Sequence, residues 1–115
     1  MPQQTRIDLL DICIVRHPEG ALMLFMVVER FRGRDPGPIY ARLREHGRAM
    51  PDGLRYVDSW IEANFDRCFQ LVECDDVTLL QKWILQWRDL VEFEIVPVSP
   101  SKAVREMFPQ VGEKG

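Results

Sequence analysis

From Ala21 to Val28 every residue is apolar, and Leu22–Glu29 (LMLFMVVE) has the length of a strand. Alternate side chains of a strand point to opposite faces, so this run is apolar on both and demands cover from both sides. It is far shorter than the roughly 20 apolar residues of a membrane span. The rest of the chain must therefore build a sheet around this strand and shield it twice.

The signals after it are regular. Arg30–Arg34 (RFRGR) closes the strand, and Asp35-Pro36 starts a helix, with Asp35 as N-cap and proline at the first helical position. Ile39, Tyr40 and Leu43 form its apolar stripe, and Gly47 suits a left-handed end. Met50-Pro51-Asp52-Gly53 is a turn, and Leu54–Glu62 reads as a second strand. Simple alternation puts Tyr56, Asp58 and Trp60 on one face, and Arg55, Val57, Ser59 and Ile61 on the other. A short connection over Ala63–Asp66 leads to a third strand, Arg67–Glu73. Asp75-Asp76 caps a second helix, whose Leu80, Trp83, Ile84 and Trp87 fall on one face. Val91–Val98 is the fourth strand. Ser99-Pro100 opens a short final helix ending near Phe108, before a polar tail.

The order β-α-β-β-α-β predicts an α+β fold of the ferredoxin-like type, with a four-stranded antiparallel sheet in spatial order 4-1-3-2. The two central strands of that order are the most apolar. The two edges carry Arg55, Asp58 and Glu62 on one side, and Glu92 and Glu94 on the other. With 115 residues there is material for one domain. We expect it over residues 22–110, between an extension over residues 1–21 and a tail over residues 111–115. The extension could be disordered or could form an extra strand over Ile7–Val15, and Met23 is a second plausible start. Asp8 and Asp11 interrupt the apolar stretch near the amino terminus, so no secretory leader is expected.

Two right-handed crossovers place both helices on one side of the sheet, and the other side stays bare. An apolar patch above roughly 400 Å² is unusual on a monomer. At about 25 cal/mol per Å², leaving it wet would forgo roughly 10 kcal/mol. A second copy across a two-fold axis is the expected cover, and the alternative is the amino-terminal extension.

Composition narrows function chiefly by exclusion. Fifteen Lys and Arg against 18 Asp and Glu leave a net charge of −3, the wrong sign for a nucleic-acid surface. Cys13, Cys68 and Cys74 lack paired spacing, and His17 and His46 lie far apart, so neither a disulfide framework nor a metal centre is expected. Reduced thiols fit a cytoplasmic protein. No motif calls for a cofactor, and no Ser-His-Asp order or phosphate loop occurs.

The run Met23–Arg32, then Asp35-Pro36 and Ile39-Tyr40, resembles the opening of a small bacterial domain-of-unknown-function family, number 3303. Pro51–Trp60 (PDGLRYVDSW), Arg67–Glu73 (RCFQLVE) and Trp87–Pro97 (WRDLVEFEIVP) are similar to the rest of it, so the likeness spans about Met23–Val98. The resemblance implies a ferredoxin-like, dimeric α/β-barrel-type architecture. It carries no activity and no catalytic residues, and the segment before Met23 departs from the family's usual start.

The candidate ligand-binding residues are Tyr56, Asp58, Trp60, Gln70 and His46. Tyr56 and Trp60 could line a pocket in which Asp58 and Gln70 orient a small molecule, with Cys68 nearby, although packing is the ordinary use of such residues. Cys68 sits in an apolar strand, where a thiolate nucleophile is costly. Trp83 and Trp87 could wall a cleft or fill the core. His46 beside Arg48 could be a general base, or a cation placed at a helix carboxyl end. Arg30, Arg32 and Arg34 around Gly33 could bind an anion, or pair with local carboxylates. The leading expectation is a homodimer that binds a small metabolite or a protein partner. The alternative is a cofactor-independent oxygenase or isomerase of the dimeric α/β-barrel type. RNA binding by the sheet ranks last, because its aromatic and basic motif is missing.

Overall fold

The computed structural model describes residues 22–108. The expected extension over residues 1–21 and the tail over residues 111–115 lie outside them. The elements are β1 (Met23–Phe31), α1 (Gly37–His46), β2 (Arg55–Ile61), β3 (Arg67–Cys74), α2 (Val77–Trp87), β4 (Val91–Val98) and α3 (Ser101–Arg105). A single 3-10 turn, Arg32–Arg34, joins β1 to the entry of α1. The sheet runs β2-β3-β1-β4, and all its pairings are antiparallel. The fold is the ferredoxin-like α+β arrangement expected from the order of elements, with the two most apolar strands at its centre.

The helix ends follow local chemistry. Asp35 accepts the backbone N–H of Gly37 through Oδ1 at 2.9 Å, so it caps α1 although the helix itself begins after Pro36. Gly47 ends α1 at φ 68°, its N–H bonded to the Leu43 carbonyl at 2.8 Å. Asp76 caps α2, accepting from the Thr78 backbone N–H at 2.9 Å and from its hydroxyl at 2.7 Å.

The strand registers decide which face each side chain serves. Phe25, Val27, Glu29 and Phe31 of β1 share a face with Gln70, Val72 and Cys74 of β3 and with Val91, Phe93 and Ile95 of β4. Ile39 of α1 and Leu80, Trp83 and Trp87 of α2 pack on this face to form the core. Trp83 meets Phe93 edge to face, with ring centroids 5.7 Å apart.

The opposite face carries Leu24, Met26 and Val28, flanked by Phe69 and Leu71 on β3 and by Val96 and Val98 on β4. Among the described residues, no helix packs there. Of these, only Val28 is buried.

One expectation about β2 is overturned. Tyr56 pairs with Val72 and Asp58 with Leu71, so Val57 is an extra residue and the strand bulges there. The bulge resets the alternation. Tyr56, Ser59 and Ile61 lie on the helix face, whereas Asp58 and Trp60 lie on the bare one. Tyr56, Asp58 and Trp60 therefore do not share a face.

Candidate functional site

A cavity of about 90 Å³ lies between the helix face of the sheet and the two helices. Its apolar wall comes from Phe31, Ile39, Leu43, Trp83, Trp87 and Val91. Glu29, Gln70, Ser59, Cys68 and Arg48 form its polar end. Tyr40, 46% exposed, stands where the cavity meets solvent.

Glu29 is the unusual member, a carboxyl group at a core position of a central strand, only 7% exposed. It follows the parity of Phe25, Val27 and Phe31, so the pleat directs it into the core. Burial pushes its pKa up to about 7. Hydrogen bonds from Cys68 and Gln70, and then the positive charge of Arg48, oppose that rise without cancelling it. The Gln70 amide nitrogen donates to Glu29 Oε2 at 3.0 Å. Gln70, only 3% exposed, accepts in turn from Arg48 Nη1 at 2.8 Å.

Arg48 reaches this place because the loop after α1 is pinned to α2. The indole N–H groups of Trp83 and Trp87 donate to the Arg48 carbonyl at 2.8 and 3.2 Å, and the Gln86 amide donates to the Ala49 carbonyl at 3.1 Å. The guanidinium then stacks 3.7 Å from the Tyr56 ring centroid. The Tyr56 hydroxyl shares a 2.8 Å hydrogen bond with Ser59. The result is a continuous polar chain, Glu29–Gln70–Arg48–Tyr56–Ser59, drawn from three strands and one loop. Cys68 completes it beside Glu29. Burial first, and then the Glu29 charge, push its thiol up to about 12.

Of the residues expected at a site, the structure brings Tyr56 and Gln70 together here and leaves three elsewhere. Asp58 spends its carboxylate locally, accepting the Ser59 backbone N–H at 2.8 Å. Trp60 is 50% exposed on the bare face, opposite Phe69. His46 is exposed near Glu45, beside a separate shallow depression with Arg42 and Gln86. Trp83 and Trp87 serve as core and cavity wall at once. The arginines around Gly33 do not converge on an anion site. Arg32 pairs with Glu92 at 3.2 Å, Arg34 grips Asp66 through two hydrogen bonds, and Arg30 lies on the bare face. Among the described residues no cluster of His, Cys, Asp and Glu could hold a metal ion.

Reading the sequence missed Glu29, Arg48 and Ser59 as site residues. Glu29 had a legible signal, since its odd-numbered parity with Phe25 and Val27 makes it a carboxylate aimed into the core. Arg48 had none, because its position depends on a loop tied down by residues far along the chain.

The fold and this cavity define a small ferredoxin-like α+β domain with a polar chain ending in a buried carboxyl group. The chain belongs to the family described as Domain of unknown function (DUF3303), whose sequence profile matches residues 23–112. No curated protein and no solved structure matches it. Among the described residues no helix is long and apolar enough to cross a membrane.

Proposed function

We propose that this protein is a cytoplasmic bacterial homodimer that binds a small molecule in the cavity on the helix side of its sheet. The observation that carries the reading is the buried Glu29 carboxyl at the end of an aromatic-walled cavity. Native cores rarely keep an ionisable group at such cost without a use for it. Gln70 and Arg48 hold that carboxyl in place, and Tyr56 and Ser59 extend its polar contacts toward β2.

The dimer is supported by the other face. Leu24, Met26, Leu71, Phe69, Val96 and Val98 form a contiguous apolar strip with Trp60 at its side. Arg30, Arg67, Glu92 and Glu94 lie on the same face, so a second copy offers both apolar area and opposite charges. Because the cavity opens on the helix side, the two surfaces do not compete.

A second reading, an enzyme that moves a proton, draws on the same group. A carboxyl whose pKa lies near neutrality is suited to general acid–base work. Among the described residues, the titratable group next to it is the Cys68 thiol, which is held protonated.

Light scattering tests the dimer, and NMR of the indole N–H groups tests the cavity. The expected result is a particle of twice 13.5 kDa. Added small-molecule extract should move the indole signals of Trp83 and Trp87. A monomer at micromolar concentration overturns the dimer, and unmoved indole signals overturn the cavity's role.

A further inference from the structure

The chemistry of the ligand can be narrowed further, on the basis of the cavity reading above. A dry cavity of roughly 150 Å³ admits benzene. The cavity here holds about 90 Å³ and is partly open to solvent, with the half-exposed Tyr40 in its lining. It is smaller than that dry cavity, so a single ring or a short branched chain enters only with part of it left at the open side. The apolar wall offers no free indole donor, since both indole N–H groups are spent on the Arg48 carbonyl, and the donors of the lining sit with Arg48 and Ser59 at its polar end. A carboxylate has about four acceptor positions. Gln70 uses one of them on Oε2, and a bond from the weakly donating Cys68 thiol would take at most a second. Acceptor capacity is therefore left on a group that is 7% exposed and lines the cavity.

Charge excludes the other classes. Glu29 and Arg48 do not touch, but Gln70 links them in series, so the site already holds one charge of each sign. A cationic ligand would be repelled by Arg48 and an anionic one by Glu29, because a like charge near a group disfavours its charged state. A neutral molecule keeps the balance. We infer that the cavity takes an uncharged, ring-sized molecule and accepts one hydroxyl or N–H hydrogen bond from it at the Glu29 carboxyl.

The test uses four probes on the 15N-labelled full chain at pH 8: phenol, toluene, benzoate and benzylammonium. Trp60, on the opposite face, is the internal control. Phenol should move the Trp83 and Trp87 indole signals, leave Trp60 in place, and bind at least fivefold tighter than toluene. It should also bind at least tenfold tighter than either ion. Toluene binding as well as phenol, or an ion binding as tightly, overturns this inference and leaves the cavity a binding site. No shift at Trp83 or Trp87 with any probe overturns the cavity reading as well. Glu29→Leu should abolish the preference for phenol over toluene, and a folded variant that keeps it overturns the inference. If that variant does not fold, the four-probe comparison on the unaltered chain decides.

Discussion

Gln70 donates its side-chain amide to the Glu29 carboxyl at 3.0 Å across two neighbouring central strands. The two are not paired directly. Val27 faces Gln70 and Glu29 faces Cys68, so the bond is diagonal and depends on the β1–β3 register. A slip of one residue would put the two polar groups on opposite faces of the sheet. This contact ties the candidate site to the middle of the sheet, and the first two predictions follow from it.

The Glu29 carboxyl should make stability fall as pH rises. Its pKa is 4.5 in a solvated chain and about 7 in the folded one. Between those values the folded protein keeps a proton that the unfolded chain releases, so raising pH favours unfolding. The gap corresponds to on the order of 3 kcal/mol, fully lost above pH 7. Glu29→Gln should gain roughly 2 kcal/mol at pH 8 and little at pH 4.5. Urea midpoints at fixed protein concentration check this. Equal pH slopes for the two proteins would refute it.

Arg48→Met should cost about 1–3 kcal/mol, because the Gln70 carbonyl oxygen would be left buried without a donor. The Trp83 and Trp87 bonds go to the Arg48 backbone and should survive, so the indole signals should stay dispersed. Removing the positive charge should also raise the Glu29 pKa further, since Arg48 opposes its rise. Carboxyl-carbon NMR titration reads that shift, and an unchanged or lower pKa would count against the polar chain.

Cys68 should resist alkylation while the protein is folded. Its thiol is pushed up to about 12, and the thiolate is the reactive form. At pH 8 its modification should run at least about a hundredfold slower than in urea. Peptide mass spectrometry assigns the site, and rapid labelling of Cys68 in the folded protein would contradict its burial beside Glu29.

Met26→Asp should separate the proposed dimer. Met26 sits at the centre of the bare face, between Leu71 and Val96, where a two-fold contact would bring a buried charge against apolar side chains. Light scattering should then report one chain of 13.5 kDa in place of two. A dimer of unchanged affinity would place the interface elsewhere.

The order of elements was legible in the sequence because its signals are local. Apolar runs, Asp35 and Asp76 as caps, and Gly47 as a stop each act over one or two turns. The spacing of Leu80, Trp83 and Trp87 marked the buried face of α2 for the same reason. The central strands were legible from apolar residues at both parities, and the edges from their charges. Gln70 was recognised as a candidate from its neighbours on β2, and Tyr56 from its aromatic ring.

The tertiary structure alone decided the rest. Whether Tyr56 stands with Asp58 and Trp60 depends on one extra residue, Val57, opposite β3. Alternation within β2 cannot reveal that, because a bulge is a property of the pairing and not of one strand. Arg48 belongs to the site only because Trp83, Trp87 and Gln86 hold its loop from the far side of the domain. Sequence determined which elements form and which faces are apolar, through short-range periodicity and capping. Register and loop anchoring, which link residues tens of positions apart, chose the polar groups that meet in the cavity.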